Sequence, residues 1–210
     1  MLRYLYGDQL CNYPKLADSM FRDRTAQFRE RLGWDVTVDD RGWERDEYDN
    51  LNPLYVIWEN EDGSHGGSMR FLPTTGKTMV NDHFIDLMDG VELQSPFIWE
   101  CTRFCLNPSA ESRVAAALML AGGELMRAFD VRHFVGVFDA RMVRIYRMIG
   151  STPEILGQTG KGRDMIAVGL WGYDDRARKR VAHRAGIPPE LSEKWFLKSF
   201  GFEPRLQLVA

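Results

Sequence analysis

Apolar side chains recur at four-residue spacing through Leu16, Met20, Phe28 and Leu32, and Gly33 follows where a left-handed residue ends a helix. The stripe predicts a helix over 15–32. Arg24 falls on the same stripe, where a charge either snorkels at the edge, finds a partner or faces a ligand. Residues 33–53 are polar and acidic with little periodicity, and read as a long loop of the kind that often carries function. Strand character follows at 54–58, 67–72 and 97–106, with a turn at Glu61-Asp62-Gly63-Ser64, which together predict an antiparallel meander.

Asn107-Pro108-Ser109 is expected to cap and open a helix reaching about residue 129, with Ala115, Ala116, Leu118, Met119 and Leu125 on its core side. Beyond it, 133–138 and 165–171 read as strands and 140–149, 176–184 and 189–200 as helices. Strands first and strand-helix alternation afterwards imply an α+β fold, compatible with an acetyltransferase-like (GNAT-like) α/β/α sandwich around a central mixed, mostly antiparallel sheet.

Length and composition narrow this further. A chain of 210 residues with 44% hydrophobic and 27% charged content suits one globular domain, 1–210, rather than two or a disordered chain. Its longest apolar run, 115–121, is far too short to cross a bilayer, and a charge appears before any leader-like segment develops, so a cytoplasmic, unprocessed protein without membrane insertion is expected. Cys11, Cys101 and Cys105 lack metal-ligand spacing, and His65, His83, His133 and His183 are scattered singly, so no metal is expected. The net charge of -3 hides an asymmetry. Residues 1–110 carry 11 basic and 19 acidic side chains, whereas residues 111–210 carry 16 and 11. The acidic half suits a cationic ligand and the basic half an acidic partner. Nucleic acid is not expected, because no basic run is interleaved with stacking aromatics.

Five strings occur in order along the first half: Arg24-x-x-x-Phe28, Leu32-Gly33-Trp34, Glu44-Arg45-Asp46-Glu47-Tyr48-Asp49, Ser68-Met69-Arg70-Phe71-Leu72-Pro73-Thr74-Thr75, and Trp99-Glu100-x-x-Arg103. In this set the chain resembles the LuxI-type acyl-homoserine-lactone synthases. The resemblance implies that S-adenosylmethionine is a substrate, that no cofactor is needed, and that the second substrate is a fatty acyl thioester carried by acyl carrier protein or coenzyme A. The acylated product would close to a lactone and release methylthioadenosine.

S-adenosylmethionine brings a sulfonium, an ammonium and a carboxylate. Asp46, Asp49 and Glu100 could supply negative charge, Phe28 and Trp34 aromatic faces, with Phe84 a further aromatic, and Arg24 or Arg103 a bidentate fork for the carboxylate. Glu100 is the expected general base, with Asp46, Arg70 and Arg103 completing the reacting centre. Residues three apart on a regular strand point to opposite faces, so Glu100 and Arg103 share a pocket only if a bulge intervenes. Phe104, Met126, Phe138 and Met142 are expected to wall the acyl pocket. The strand 133–138 offers no Thr or Ser hydroxyl, which predicts a donor without a 3-oxo group unless Ser151 or another group supplies the hydrogen bond. Arg144, Arg147 and Lys161 are expected to dock the carrier. Two other readings are an acetyl-coenzyme A dependent N-acetyltransferase, weakened by the missing glycines in 103–110, and a non-catalytic ligand-binding regulatory domain.

Overall fold

In the computed structural model, residues 1–201 are described, and 202–210, the end of the expected 1–210 span, lie outside the described residues. The strands are Leu2–Tyr6 (β1), Leu54–Glu59 (β2), His65–Pro73 (β3), Ile98–Leu106 (β4), His133–Asp139 (β5), Glu154–Thr159 (β6) and Ile166–Gly172 (β7). They form one sheet in the order β1-β2-β3-β4-β5-β7-β6. Every neighbouring pair is antiparallel except β4 with β5. This is the mixed, mostly antiparallel sheet expected from the sequence. The helices are Pro14–Arg24 (α1), Met79–His83 (α2), Arg113–Ala128 (α3), Ala140–Ile149 (α4), Asp175–Ala185 (α5) and Pro189–Ser199 (α6).

The unbroken apolar run of β2 has a direct cause, because both faces of that strand are covered. Leu54 and Val56 join Phe71 in a core under α3, α5 and α6 that includes Leu118, Leu125, Val181 and Phe196. Tyr55 and Ile57, on the opposite face, pack with Leu5 against Leu16, Met20 and Phe21 of α1. Each such burial is worth roughly 1.5–3 kcal/mol relative to exposure. Helices on both faces of one sheet make the acetyltransferase-like sandwich.

The predicted helix 15–32 exists, but past Arg24 it widens into a π-helical stretch, Thr25–Arg31, before Gly33 ends it at φ +69°. The helix expected to open at 107–109 begins at Arg113 instead. Asn107 uses its carbonyl on a local turn, accepting the Ser109 N–H at 2.9 Å and hydroxyl at 2.6 Å, and its amide donates to Asp23 of α1.

Two features of β4 shape everything that follows. Its register with β3 runs Ser68↔Cys105 and then Arg70↔Thr102, three steps on β4 against two on β3, and Arg103 lies inside this bulge at φ +51°. Its pairing with β5 is confined to Ile98↔His133, Trp99↔Phe134 and Glu100↔Val135. Beyond that the two strands part, and space opens between them beneath α3.

Candidate functional site

Three arginines and three carboxylates interlock on the α1 face of the sheet. Arg24, only 1% exposed, donates from Nε to Glu44 at 2.5 Å and from both terminal nitrogens to Asp49 at 2.9 Å. Arg70 of β3 donates to both oxygens of Asp46, lies 2.9 Å from Asp49 and donates from Nε to Thr102 Oγ1 at 3.0 Å. Arg103 reaches Glu44 at 3.0 Å and Asp46 at 2.7 Å. The charges balance within the cluster, which is what allows them to be buried at all. Asp46 also caps the short helix Glu47–Leu51 by accepting the N–H groups of Tyr48 and Asp49. Asp49 accepts the Tyr55 hydroxyl and the Asp46 N–H as well. Burial alone would raise the Asp49 carboxyl, but the Arg24 and Arg70 guanidiniums hold it far below the usual carboxylate range.

Arg24, expected with Arg103 as a fork for a substrate carboxylate, is turned here toward its own neighbours. Its guanidinium is enclosed and engaged by Glu44 and Asp49, so it does not snorkel at the edge of the stripe. Asp49 is likewise enclosed. The open edge of the cluster is formed by Asp46 and Arg103, whose side chains remain 13% and 11% exposed. The β4 bulge is what turns Arg103 onto this face, at the strain that a left-handed non-glycine residue carries, of order 1–3 kcal/mol. Trp34, 44% exposed, stacks on buried Phe28 with ring centroids 5.2 Å apart and planes at 11°. The Arg103 guanidinium lies 5.4 Å from the Phe28 centroid. Phe28 is therefore an internal spacer between Trp34 and Arg103, and the face offered to solvent is that of Trp34. Phe84 stands apart from the cluster, half-buried against the group formed by Val80, Met88, Val135 and Val168.

Glu100 lies on β4 two residues before Thr102, on the same face as Arg70. Its carboxylate caps α2, accepting the Val80 N–H at 2.6 Å and the Met79 N–H at 3.0 Å, a task that Thr78 at the N-cap position leaves undone. Thr78 Oγ1 is itself buried without a partner among the described residues. Desolvation pushes the Glu100 carboxyl up to about 7 against the pull of those two N–H groups. It is thus balanced between its acid and base forms near neutrality.

On the opposite face, where β4 and β5 part, lies an apolar cavity of about 120 Å³. Of the four residues expected to wall an acyl pocket, Phe104 and Met126 line this cavity, whereas Phe138 and Met142 are not among its lining. Phe138 turns instead into an aromatic cluster with Tyr146 and Trp171, and Met142 packs against that cluster. Thr102, Tyr146 and Ser151 also line it, so polar residues stand among the apolar ones. Thr102 and Arg103 join this wall and the charged cluster, so the bulge is where the two regions meet. On the outer surface Arg144, Arg147 and Lys161 are all exposed, and none has a carboxylate within 4 Å among the described residues. The helix α4 packs beside the short turn that Lys161 opens.

Sequence reasoning left Glu44, Tyr55 and Thr102 unassigned. Charge balance offered a signal for the first: three arginines on buried elements require a third carboxylate beside Asp46 and Asp49, and Glu44 lies two residues away in the same string.

Residues 8–181 match the family model described as autoinducer synthase. An acyl-homoserine-lactone synthase of Rhizobium etli is 43% identical over 178 residues, spanning 81% of this chain and 84% of that protein. Among solved structures, the acyl-homoserine-lactone synthase LasI superposes with a TM-score of 0.75 at 26% identity, covering 87% of this chain and 94% of its own. MesI, described as a CoA-dependent acyl-homoserine lactone synthase, reaches 0.78 over 90% and 96%, and at 24% identity it speaks for the fold alone. With the family model matching most of the chain and a relative 43% identical over 81% of it, the chain belongs to the autoinducer synthase family.

Proposed function

We propose that this chain transfers a fatty acyl group from a thioester to the amine of S-adenosylmethionine and closes the product to an N-acyl-homoserine lactone, in the cytoplasm. One observation carries the reading: an apolar cavity and a carboxylate-arginine cluster meet at the β4 bulge, through Thr102 and Arg103. An acyl chain in the cavity and an amino acid at the cluster's open edge would bring thioester and amine together there. Such positioning can account for several kcal/mol of a two-substrate barrier.

In this scheme Asp46 attracts the cationic substrate, the exposed face of Trp34 takes its sulfonium or adenine, and Arg103 its carboxylate. Glu100, with a lone pair left on each oxygen, accepts the amine proton as nitrogen attacks the thioester carbonyl. The thiolate leaves, and the substrate carboxylate then displaces the thioether at its own γ-carbon, forming the lactone and releasing methylthioadenosine. Arg70 holds Asp46 and Thr102 in place. The test is incubation of purified protein with S-adenosylmethionine and an acyl thioester, followed by mass spectrometry. Lactone and methylthioadenosine in equal amounts are expected, and an acylated but unclosed product would refute the second step.

The exposed face of α4 suits an acidic carrier. Reversing charge at Arg144 and Arg147 should raise KM for an acyl carrier protein thioester about tenfold at low salt, and less at high salt, with kcat nearly unchanged. An unaltered KM would place carrier docking elsewhere.

A further inference from the structure

Two adjacent glycines, Gly122 and Gly123, interrupt the middle of α3, which is otherwise rich in strong helix formers. Glycine in a helix interior is destabilising relative to alanine, so each position calls for a reason. Packing supplies one for Gly122, where a Cβ would stand 3.3 Å from the Phe134 ring. Gly136 of β5 also lines the cavity, and a Cβ there would press to 2.9 Å on the Cys101 carbonyl oxygen. Gly123 has no such neighbour. A Cβ would meet only Tyr173, at 4.0 Å, an ordinary contact, and its backbone is not left-handed. What Gly123 does have is a place in the cavity wall.

We infer that the missing side chain at Gly123 sets how much acyl chain the cavity admits, making this residue a determinant of donor length. The inference rests on the cavity being the acyl site of the function proposed above. Glycine is tolerated here for room rather than for backbone freedom or close packing. Alanine would therefore suit the helix better and the substrate worse.

The experiment measures binding and turnover of a homologous series of straight-chain acyl thioesters on one carrier, for wild type, Gly123→Ala and Gly123→Val. Each methylene shut out is worth about fourfold, so kcat/KM for the longest donor that wild type uses well should fall about tenfold in Gly123→Val. The optimum should move to shorter chains while KM for S-adenosylmethionine holds. Gly123→Ala should shift the profile less and raise Tm by about 2–4 °C. Unchanged length profiles in folded Gly123→Val overturn the inference, as does a lowered Tm in Gly123→Ala, which would reveal a packing role. Chain-length-dependent binding that weakens in Gly123→Val, with no lactone from wild type, would support the cavity assignment and overturn the proposed reaction instead.

Discussion

Arg24→Ala should destabilise the chain by about 3–5 kcal/mol, because Glu44 and Asp49 would be left buried without their shared counterion. For a chain of this size that corresponds to a fall in Tm of about 10 °C or more, measured by thermal denaturation at neutral pH. The pH dependence has a definite sign. In the wild type the Asp49 carboxyl is depressed, so its contribution is present above the ordinary carboxylate pKa and is lost as pH falls through and below it. In the variant, burial acts with one fewer opposing guanidinium, the depression shrinks, and the deficit relative to wild type narrows in acid. If the variant lost less than about 1 kcal/mol yet made no lactone, Arg24 would have to act on substrate after all.

The second large effect is expected from Glu100→Gln, which should lower lactone synthesis by about 10²–10⁴ while the protein remains folded. An amide cannot take the amine proton, although its oxygen can still accept one of the two α2 N–H groups. The wild-type rate should rise with pH through about 7 as Glu100 ionises, and this limb should vanish in the variant. Stability moves the opposite way. A carboxyl whose folded pKa is raised stabilises fully below its unfolded value, and that contribution is lost as pH climbs through about 7. Loss of kcat with the pH limb intact would assign the base elsewhere, with Asp46 next in line.

Much of the scaffold was legible because its elements expose contrast along the chain. The meander, α3 through most of its length, β5, α4 and β7 follow from apolar runs bounded by turns. β1 escaped notice because Leu2 and Tyr4 face one core while Leu5 faces the other, which erases alternation. β6 lies almost wholly exposed at the sheet edge, leaving no buried face to read. α2 is a single turn whose cap comes from Glu100, twenty residues away, and no local pattern encodes a tertiary cap. At the site, the strings named the charged residues that assemble. They could not say which would be enclosed, since Arg24 and Arg103 look alike until Glu44 joins them to the same cluster. Likewise, Phe138 fits an apolar wall by type, and only the aromatic packing with Tyr146 and Trp171 turns it away.

The bulge in β4 has one consequence for the timing of the reaction. In the proposed reaction it would put the acyl chain on one face of the sheet and the amino-acid substrate at the open edge of the charged cluster on the other, so the two would approach from different sides. Neither site would then have to be vacated for the other to fill, and acyl transfer would need no stop on the protein. Cys101, the one thiol in the cavity wall, is pushed up by desolvation and by the nearby Glu100, and stays protonated rather than becoming a way station for the acyl group. The geometry thus favours a ternary complex and direct transfer over an acyl-enzyme relay.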